Sequence, residues 1–250
     1  MSGTPVGIVD TDVGPLLAPI DPWIWPCLIE TGSWEPLVGE AVRSVLSAGD
    51  TVINVGAHVG YYTRMAALAV GHTGIVWAYE PAPSNRRLLE FNISGLCNVA
   101  VRSAAVSDET GTGTLTFSGV NPGDHRLGDV HPEPAGSTTV PVVRLDDEEW
   151  TRYNPGAGFV PAAPARLIFV DAQGFDLKVL RGARDVIDAE RPHVMIEWTP
   201  NLLDRADYPE IDRLIESGYT AHIVENGMPI GCASDGDVIG DGTGTLHLSP

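Results

Sequence analysis

The chain has 250 residues, with 33 Asp or Glu against 15 Lys or Arg and a formal net charge of −18. Such an acidic surface repels nucleic-acid backbones and anionic membranes, so we expect a small neutral or cationic ligand and neither a nucleic-acid nor a membrane partner. No apolar run approaches the roughly 20 residues that span a bilayer. Cys27, Cys97 and Cys232 are odd in number, widely spaced and lack Cys-x-x-Cys spacing, so the sequence indicates neither a disulfide framework nor a zinc site and favours reduced thiols in the cytoplasm.

The length fits one α/β domain, which we place at residues 36–250. Residues 1–35 form a cover segment in this interpretation. Its stretch 15–26 is dense in Pro and Trp. Two roles stay open for it: a second wall over a ligand cleft, or Trp23 and Trp25 covering the edge of a sheet.

Apolar periodicity predicts strands and helices that alternate along the chain. The predicted strands are 52–55, 75–79, 99–106, 166–170, 194–196, 219–224 and 245–248. Five helices are predicted: one from Pro36 to Gly49, one over 61–70, one from a Ser84 cap to Gly95, one over 177–187 and one over 211–215. Strands joined by helical crossovers indicate a mostly parallel sheet with helices on both faces.

Two further strands, 112–117 and 138–143, interrupt this alternation between strands three and four. They enclose a connection rich in Gly, Pro, Asp and His. A connection this long within a compact domain is usually functional or disordered. We therefore expect a substrate lid at about 119–138; the alternative is a surface loop without a ligand.

A glycine turn after the first strand and an acid at the end of the second predict a cofactor site. Gly56 and Gly60 frame the turn, and Glu80 lies twenty residues beyond Gly60, which is typical of a site for an adenosine-bearing cofactor. One glycine of the dinucleotide pattern Gly-x-Gly-x-x-Gly is missing. S-adenosylmethionine has no phosphate to bind, so it tolerates the looser turn.

The candidate cofactor residues follow from this turn. Glu80 is expected to accept hydrogen bonds from both ribose hydroxyls, and Gly56, Ala57 and Gly60 to let the backbone approach the ligand. His58 is expected to frame the cofactor. Asn54 either reaches the methionine part or shapes the turn.

Several linked segments extend the pattern. They are residues 54–63, Glu80-Pro81-Ala82-Pro83, Asn92, residues 105–108, residues 170–183 and Glu197. This set resembles the FkbM family of S-adenosylmethionine-dependent methyltransferases, from about Gly32 to the end. The resemblance implies a class I, Rossmann-like methyltransferase fold and O-methylation of a small molecule, such as a natural-product or sugar intermediate. The chain departs from the family at Asn54, where Asp is usual, and at Gln173, where Glu is more common.

Acids at strand ends are the first candidates for chemistry, because ligands of open parallel sheets lie beyond the carboxyl ends of the strands. Asp171 follows strand four and is our first choice near the reacting centre; the alternative is a helix cap. Glu197 follows strand five and either binds the acceptor or pairs with an arginine. His125 in the lid has the acid-base range to accept a proton, unless it is a solvated loop residue.

Asp171 and Glu197 also resemble the acids of magnesium-dependent O-methyltransferases. Trp198 stands where a third polar ligand would follow, so we expect no catalytic metal.

Two rival functions remain: a nicotinamide-dependent oxidoreductase, disfavoured by the missing glycine and the absent Tyr-x-x-x-Lys motif, and a noncatalytic cofactor-binding module. The sequence does not determine the oligomeric state.

Overall fold

The computed structural model describes residues 4–128, 131–224 and 244–250. The strands are β1 (Val6–Thr11), β2 (Gly14–Pro19), β3 (Thr51–Val55), β4 (Ile75–Tyr79), β5 (Val99–Arg102), β6 (Ala105–Val106), β7 (Gly111–Ser118), β8 (Arg126–Leu127), β9 (Pro134–Val143), β10 (Thr151–Asn154), β11 (Gly158–Pro161), β12 (Ala165–Val170), β13 (His193–Trp198), β14 (Thr220–Val224) and β15 (Gly244–Ser249). The α-helices are α1 (Ile24–Thr31), α2 (Pro36–Val45), α3 (Tyr61–Val70), α4 (Pro83–Asn92), α5 (Asp176–Arg181), α6 (Arg184–Glu190) and α7 (Pro209–Glu216). Short 3-10 helices cover Gly71–Thr73, Leu145–Asp147 and Arg205–Asp207.

A seven-stranded sheet organises the fold, in the order β14-β15-β13-β12-β3-β4-β5. Its strands are parallel except for β15, which runs antiparallel to β13 and β14. The chain leaves β3 toward β4 and β5, then returns to β12 on the other side. This reversal places a switch point between β3 and β12, where open α/β sheets bind their ligands. The α/β class with a mostly parallel sheet is confirmed.

The two faces of the sheet carry separate apolar cores. Residues of α5, α6 and α7, including Leu177, Ile187 and Ile211, pack on one face. Val42 of α2 and Met65 of α3 pack on the other. All five residues of β3 and all five of β4 are buried, as expected for central parallel strands covered on both sides.

Proline begins three of the helices. Pro36, Pro83 and Pro209 each occupy the first turn, where the missing N–H has no intrahelical partner to lose. The predicted Ser84 cap is wrong, because Ala82 occupies the capping position of α4 and no side chain caps that end. Ser84 lies within the first turn.

The N-terminal segment folds as the β1–β2 hairpin followed by α1, elements that the sequence did not predict. Asn92 at the end of α4 forms two hydrogen bonds with this segment: Leu17 N donates to Asn92 Oδ1 at 2.7 Å, and Asn92 Nδ2 donates to Leu17 O at 2.9 Å. The same amide nitrogen donates to Val59 O, in the glycine turn. Asn92 therefore joins the N-terminal hairpin to the loop that follows β3.

Other boundaries also differ from the prediction. The expected strand 99–106 divides, since β5 stays in the main sheet while β6 joins a second sheet of order β6-β9-β7-β8. The expected helix 177–187 divides into α5 and α6 near Gly182, where a Cβ would collide with Ser107 O. The sequence also missed the β10–β11 hairpin.

Within residues 4–128, 131–224 and 244–250, no helix has the length and apolar character needed to cross a membrane. Cys27 and Cys97 are free thiols. Cys232 lies outside the described residues.

Candidate active site

A cavity of about 390 Å³ opens at the carboxyl ends of β3, β4, β12 and β13. Predicted site residues that line it are Asn54, Gly56, Ala57, His58, Glu80, His125, Asp171 and Glu197. The fold thus brings together residues more than a hundred positions apart. Gly60 is the one predicted site residue outside this lining.

The glycine turn is required by contacts within the protein. Gly56 has φ +76, and a Cβ there would collide with the backbone carbonyl of Asp171. Gly60 has φ +93, and its Cβ would meet Leu89 of α4 at 2.6 Å. Only glycine fits such close approaches in the left-handed region. The turn therefore brings the β3 end against the loop that carries Asp171.

Glu80 is buried at the end of β4, with 4% of its surface exposed. Its carboxylate accepts the backbone N–H of His58 at 2.7 Å and that of Ala82 at 2.8 Å. Burial raises its pKa to about 7, while the two backbone N–H groups act in the opposite direction. Each oxygen retains a lone pair, so Glu80 still has acceptor capacity toward the cavity.

Asn54 lies in the fourth position of β3 and is 2% exposed. Its Nδ2 donates to Thr63 Oγ1 at 2.8 Å, and its Oδ1 has no hydrogen-bond partner. Burying a polar atom without a hydrogen-bond partner lowers the stability of the folded protein, and a hydrogen bond from a ligand offsets this loss. Asn54 is therefore available as an acceptor at the cavity wall.

His58 occupies the glycine turn with φ +50. Burial lowers its pKa to about 4, and the nearby His125 adds to this effect. The imidazole is therefore neutral at physiological pH. Its Nε2 has no partner in the described structure, which leaves the ring free to contact a ligand.

Asp171 and Glu197 form an adjacent pair of carboxyls joined by Gln173. The Gln173 Nε2 donates to Asp171 Oδ1 at 2.7 Å and to Glu197 Oε2 at 3.0 Å. Burial raises the pKa of Asp171, and burial followed by the charge of Asp171 raises that of Glu197 to about 10. The pair therefore retains a proton at neutral pH.

The alternative role of Asp171 as a helix cap is not what the structure shows. Phe175 occupies the capping position of α5, and no side chain caps that end. Asp176, the first residue of α5, accepts the backbone N–H groups of Ala172 at 3.0 Å and Gly174 at 3.1 Å in the preceding turn. Burial raises the pKa of Asp176 to about 7. Because Asp176 organises the turn, the Asp171 carboxyl remains directed to its pairing with Gln173 and Glu197.

Glu35 is a cavity residue that the sequence did not reveal. It precedes α2 in a left-handed conformation with φ +46, and its Oε2 accepts the Tyr62 hydroxyl at 2.8 Å. Burial raises its pKa. No motif surrounds Glu35, so only the packing of α2 on α3 brings it to the cavity.

The predicted lid lies against the cavity through Asn121 and residues 123–127. It contains regular structure, since β8 pairs with β7 and β9 begins at Pro134. Asp124 pairs with Arg126 through two hydrogen bonds, at 2.6 and 2.9 Å. Asn85 of α4 donates to Pro122 O at 3.1 Å, which fastens the segment to the main domain.

His125 is partly buried within this lid. Its Nδ1 accepts the backbone N–H of Ser118 at 3.1 Å, and its ring contacts the Phe117 ring edge-on. Burial lowers its pKa to about 4. A neutral ring that accepts at Nδ1 carries its proton on Nε2, so this geometry favours hydrogen-bond donation over proton acceptance.

A second cavity of about 540 Å³ adjoins the first. The residues common to both linings are Glu35, Phe169, Asp171 and Glu197. Val38, Thr199 and Thr245 line it further out. The carboxyl pair therefore stands on the wall between two cavities.

The N-terminal segment supplies another wall of the first cavity. Leu16, Trp23, Ile24 and Leu28 line it. Trp25 packs over Gly7 of β1, whose added Cβ would meet the indole at 2.5 Å. The sequence left two roles open for the tryptophans. Trp23 lines the cleft, whereas Trp25 packs on the β1–β2 hairpin.

The sequence matches the family described as Methyltransferase FkbM domain over residues 54–220. The chain belongs to the FkbM methyltransferase family. Its cofactor is S-adenosylmethionine, and the alternative of a nicotinamide cofactor is set aside. No curated protein matches the chain in sequence.

The chain is also similar to solved methyltransferase structures. A methyltransferase FkbM from Methylobacillus flagellatus is 15% identical with a TM-score of 0.50, covering 81% of this chain and 44% of its own. The chain thus spans less than half of that protein. Also similar are Aeropyrum pernix fibrillarin with natively bound S-adenosyl-L-methionine (12% identity, coverage 85% and 74%, TM-score 0.46) and a Thermotoga maritima SAM-dependent O-methyltransferase (13%, 97% and 77%, 0.42).

The cavity residues fit S-adenosylmethionine. Asn54 offers an unpaired acceptor oxygen for an ammonium group, and Glu80 offers acceptor capacity for hydroxyls. Ala104, Ala105 and Val106 line the cavity with small side chains against which an adenine can rest. The described part of the chain holds no cluster of three or more His, Cys, Asp or Glu arranged for a metal ion.

Proposed function

We propose that the protein transfers a methyl group from S-adenosylmethionine to a hydroxyl of a small molecule, such as a natural-product or sugar intermediate. The observation that carries this proposal is the carboxyl pair Asp171 and Glu197. It lines the same cavity as the glycine turn and Glu80. A group able to accept a proton therefore stands within the cofactor cleft.

The cofactor-binding roles are assigned as follows. Glu80 accepts the ribose hydroxyls, Asn54 Oδ1 accepts from the methionine ammonium, and the turn from Gly56 to His58 borders the ligand. Gly60 acts indirectly, by allowing α4 to pack against the turn. The assignments of Glu80 and Asn54 use acceptor capacity that these residues retain at the cavity.

Methyl transfer depends mainly on aligning the acceptor oxygen with the methyl group, and to a smaller degree on a base that takes up the acceptor proton. When bound, S-adenosylmethionine would supply an activated methyl group. Its transfer to the acceptor oxygen would leave the carbon–sulfur electron pair on sulfur and release the acceptor proton to a base. Most of the acceleration comes from orientation, and a positioned base adds about 10²–10⁴-fold. Asp171 is the proposed base, Glu197 contacts the acceptor, and His125 donates a hydrogen bond from Nε2.

The acceptor is proposed to enter through the second cavity. This cavity shares the Asp171 and Glu197 wall with the cofactor cleft, so an acceptor there meets the base and the cofactor together. Its described lining contains three carboxyls and no Lys, Arg or His. Residues 129–130 and 225–243 also contain none of these three residue types, which favours a neutral or cationic acceptor over a nucleic acid.

We keep two further proposals from the sequence. Residues 36–250 act as the methyltransferase domain, with residues 1–35 as its cover, because Trp23 and Leu28 line the cleft. The free thiols of Cys27 and Cys97 support a cytoplasmic location.

Two measurements test the proposed function. Titration calorimetry compares S-adenosylmethionine with NAD, and we expect binding of the first alone. A panel of hydroxylated metabolites is then incubated with protein and cofactor, and mass spectrometry detects a gain of one methyl group. Binding of NAD without S-adenosylmethionine contradicts the proposal, as does methylation confined to amines. The Asp171→Asn variant serves as the matched control for enzyme-dependent product.

A further inference from the structure

Gln173 holds an unusual place between the two carboxyls. Its single side-chain nitrogen donates one hydrogen bond to Asp171 and one to Glu197, so both of its amide protons are used. The residue has φ +48, a left-handed conformation that is costly for a side chain other than glycine and persists only where surrounding structure enforces it.

Gly174, the next residue, packs closely against the backbone of another segment. Gly174 has φ +96, and a Cβ there would approach Leu202 O at 2.8 Å. Asp176 also accepts the Gly174 N–H. Because Asp176 also accepts the Ala172 N–H, the backbone on both sides of Gln173 is held in place.

The surroundings of the pair are acidic. Glu35 at the start of α2, Asp176 at the start of α5 and Asp124 in the lid all disfavour a second negative charge on it. Tyr62 of α3 and the neutral His125 line the same cavity, and the lining Arg126 is paired with Asp124. Two adjacent carboxyls in such a place share one proton.

We propose that Gln173 is a positioning residue that holds Asp171 and Glu197 as a pair sharing one proton, so that a single carboxylate is offered to the acceptor hydroxyl. The shared proton is placed on Glu197 and the negative charge on Asp171, because Asp171 accepts the shorter of the two Gln173 hydrogen bonds, at 2.7 Å against 3.0 Å. The acceptor O–H bond breaks as its proton bonds to an Asp171 oxygen. The doubly protonated pair then returns one proton to solvent.

The side-chain chemistry at position 173 explains why an amide serves here. A carboxylate would add a third negative charge, and an aliphatic side chain would leave both carboxyls without a donor. The amide supplies two N–H groups and no charge. This inference rests on the proposed O-methyl transfer, but the proton sharing is measurable without any acceptor.

The test uses the full chain with ¹³C-labelled Asp and Glu carboxyls. An NMR pH titration follows both groups, assigned with Asp171→Asn and Glu197→Gln. In the wild-type protein we expect one carboxyl of the pair ionised and the other protonated at neutral pH. In Gln173→Gly the Asp171 titration moves to higher pH, because the stabilising N–H is gone. Glycine favours the left-handed backbone, so this variant keeps the fold, which thermal unfolding checks.

Gln173→Glu gives a second, independent change. The added charge is expected to move the Asp171 titration to higher pH as well. With an acceptor in hand, the acidic limb of the pH–rate profile moves the same way in both variants. Methyl transfer at pH 6 falls about tenfold and recovers at high pH, while S-adenosylmethionine affinity stays within about twofold of wild type.

Two results overturn the inference: both carboxyls ionised at neutral pH in the wild type, or an Asp171 titration unchanged in Gln173→Gly. Failure of the proposed function has a different signature. If the carboxyls titrate as expected but the wild type methylates no hydroxyl compound, the O-methyl transfer is wrong and the shared proton stands.

Discussion

The two halves of the cavity use the same functional group in different ways. In the half formed by β3 and β4, Glu80 is held by the backbone N–H groups of His58 and Ala82. In the half formed by β12 and β13, Asp171 and Glu197 share one side-chain amide. Backbone donors fix the orientation of one carboxyl group, whereas the side-chain amide holds two carboxyl groups next to each other. Under the proposed function, the first arrangement serves cofactor recognition and the second serves proton transfer.

The largest expected effect comes from removing the proposed base, Asp171, from the half of the cavity formed by β12 and β13. Asp171→Asn keeps the size and one oxygen of the side chain, but the amide cannot take up the hydroxyl proton of the methyl acceptor. We expect methyl transfer to fall about 1,000-fold, with S-adenosylmethionine affinity changed less than about threefold. Single-turnover kinetics measures the first quantity and calorimetry the second. A comparable loss of both would mean that Asp171 belongs to the recognition half.

The next effect concerns stability, because burial raises the pKa of both Glu80 and Asp176 to about 7. The usual values are 4.5 and 3.8, so between these values and about 7 the folded protein binds more protons than the unfolded chain. The stability contributed by these two carboxyls is therefore lost as pH rises through this window, whereas His58 and His125, whose pKa burial lowers to about 4, contribute in the opposite direction below pH 6.5.

Each carboxyl contributes on the order of 3 kcal/mol to this loss. Urea unfolding of the ligand-free protein at a series of pH values measures it. Glu80→Gln removes the Glu80 contribution, because its amide has no charge to bury. The free energy of unfolding of the wild type minus that of Glu80→Gln is therefore expected to fall from pH 5 to 7, and a difference that stays constant would contradict the assignment.

A smaller effect is expected from breaking the recognition half. Glu80→Ala removes the acceptor for the ribose hydroxyls, and a hydrogen bond to a charged group contributes about 2 kcal/mol, or roughly 30-fold in affinity. Calorimetry with S-adenosylmethionine measures the loss. Cys97→Ala, at an exposed position, is the control and should bind as wild type does. Equal affinities for the two variants would remove Glu80 from the cofactor site.

The smallest effect is expected in the lid. His125→Ala removes a neutral donor, so we expect the acceptor KM to rise about fivefold, consistent with roughly 1 kcal/mol for one hydrogen bond. The pH–rate profile should keep its shape, since the ring's Nδ1 is occupied by Ser118. Loss of the acidic limb in this variant would instead make His125 the base.

The central part of the fold was readable from the sequence because its signals are local. Helix α3 and strand β4 have the predicted bounds, since each combines an apolar period with a glycine at its border. The division of strand 99–106 between two sheets was not readable. Both pieces have the same β-forming character, and only their partners, β4 for one and β9 for the other, separate them.

The site divides in the same way. The sequence by itself determined the glycine turn, Glu80 and the two strand-end acids, because their spacing within a strand–helix–strand unit limits where they lie. Only the tertiary structure decided that Gly56 faces the Asp171 backbone, that Glu35 joins the cavity and that Gln173 links two carboxyls. These are contacts between segments distant in the chain, and no local propensity encodes the distance between them.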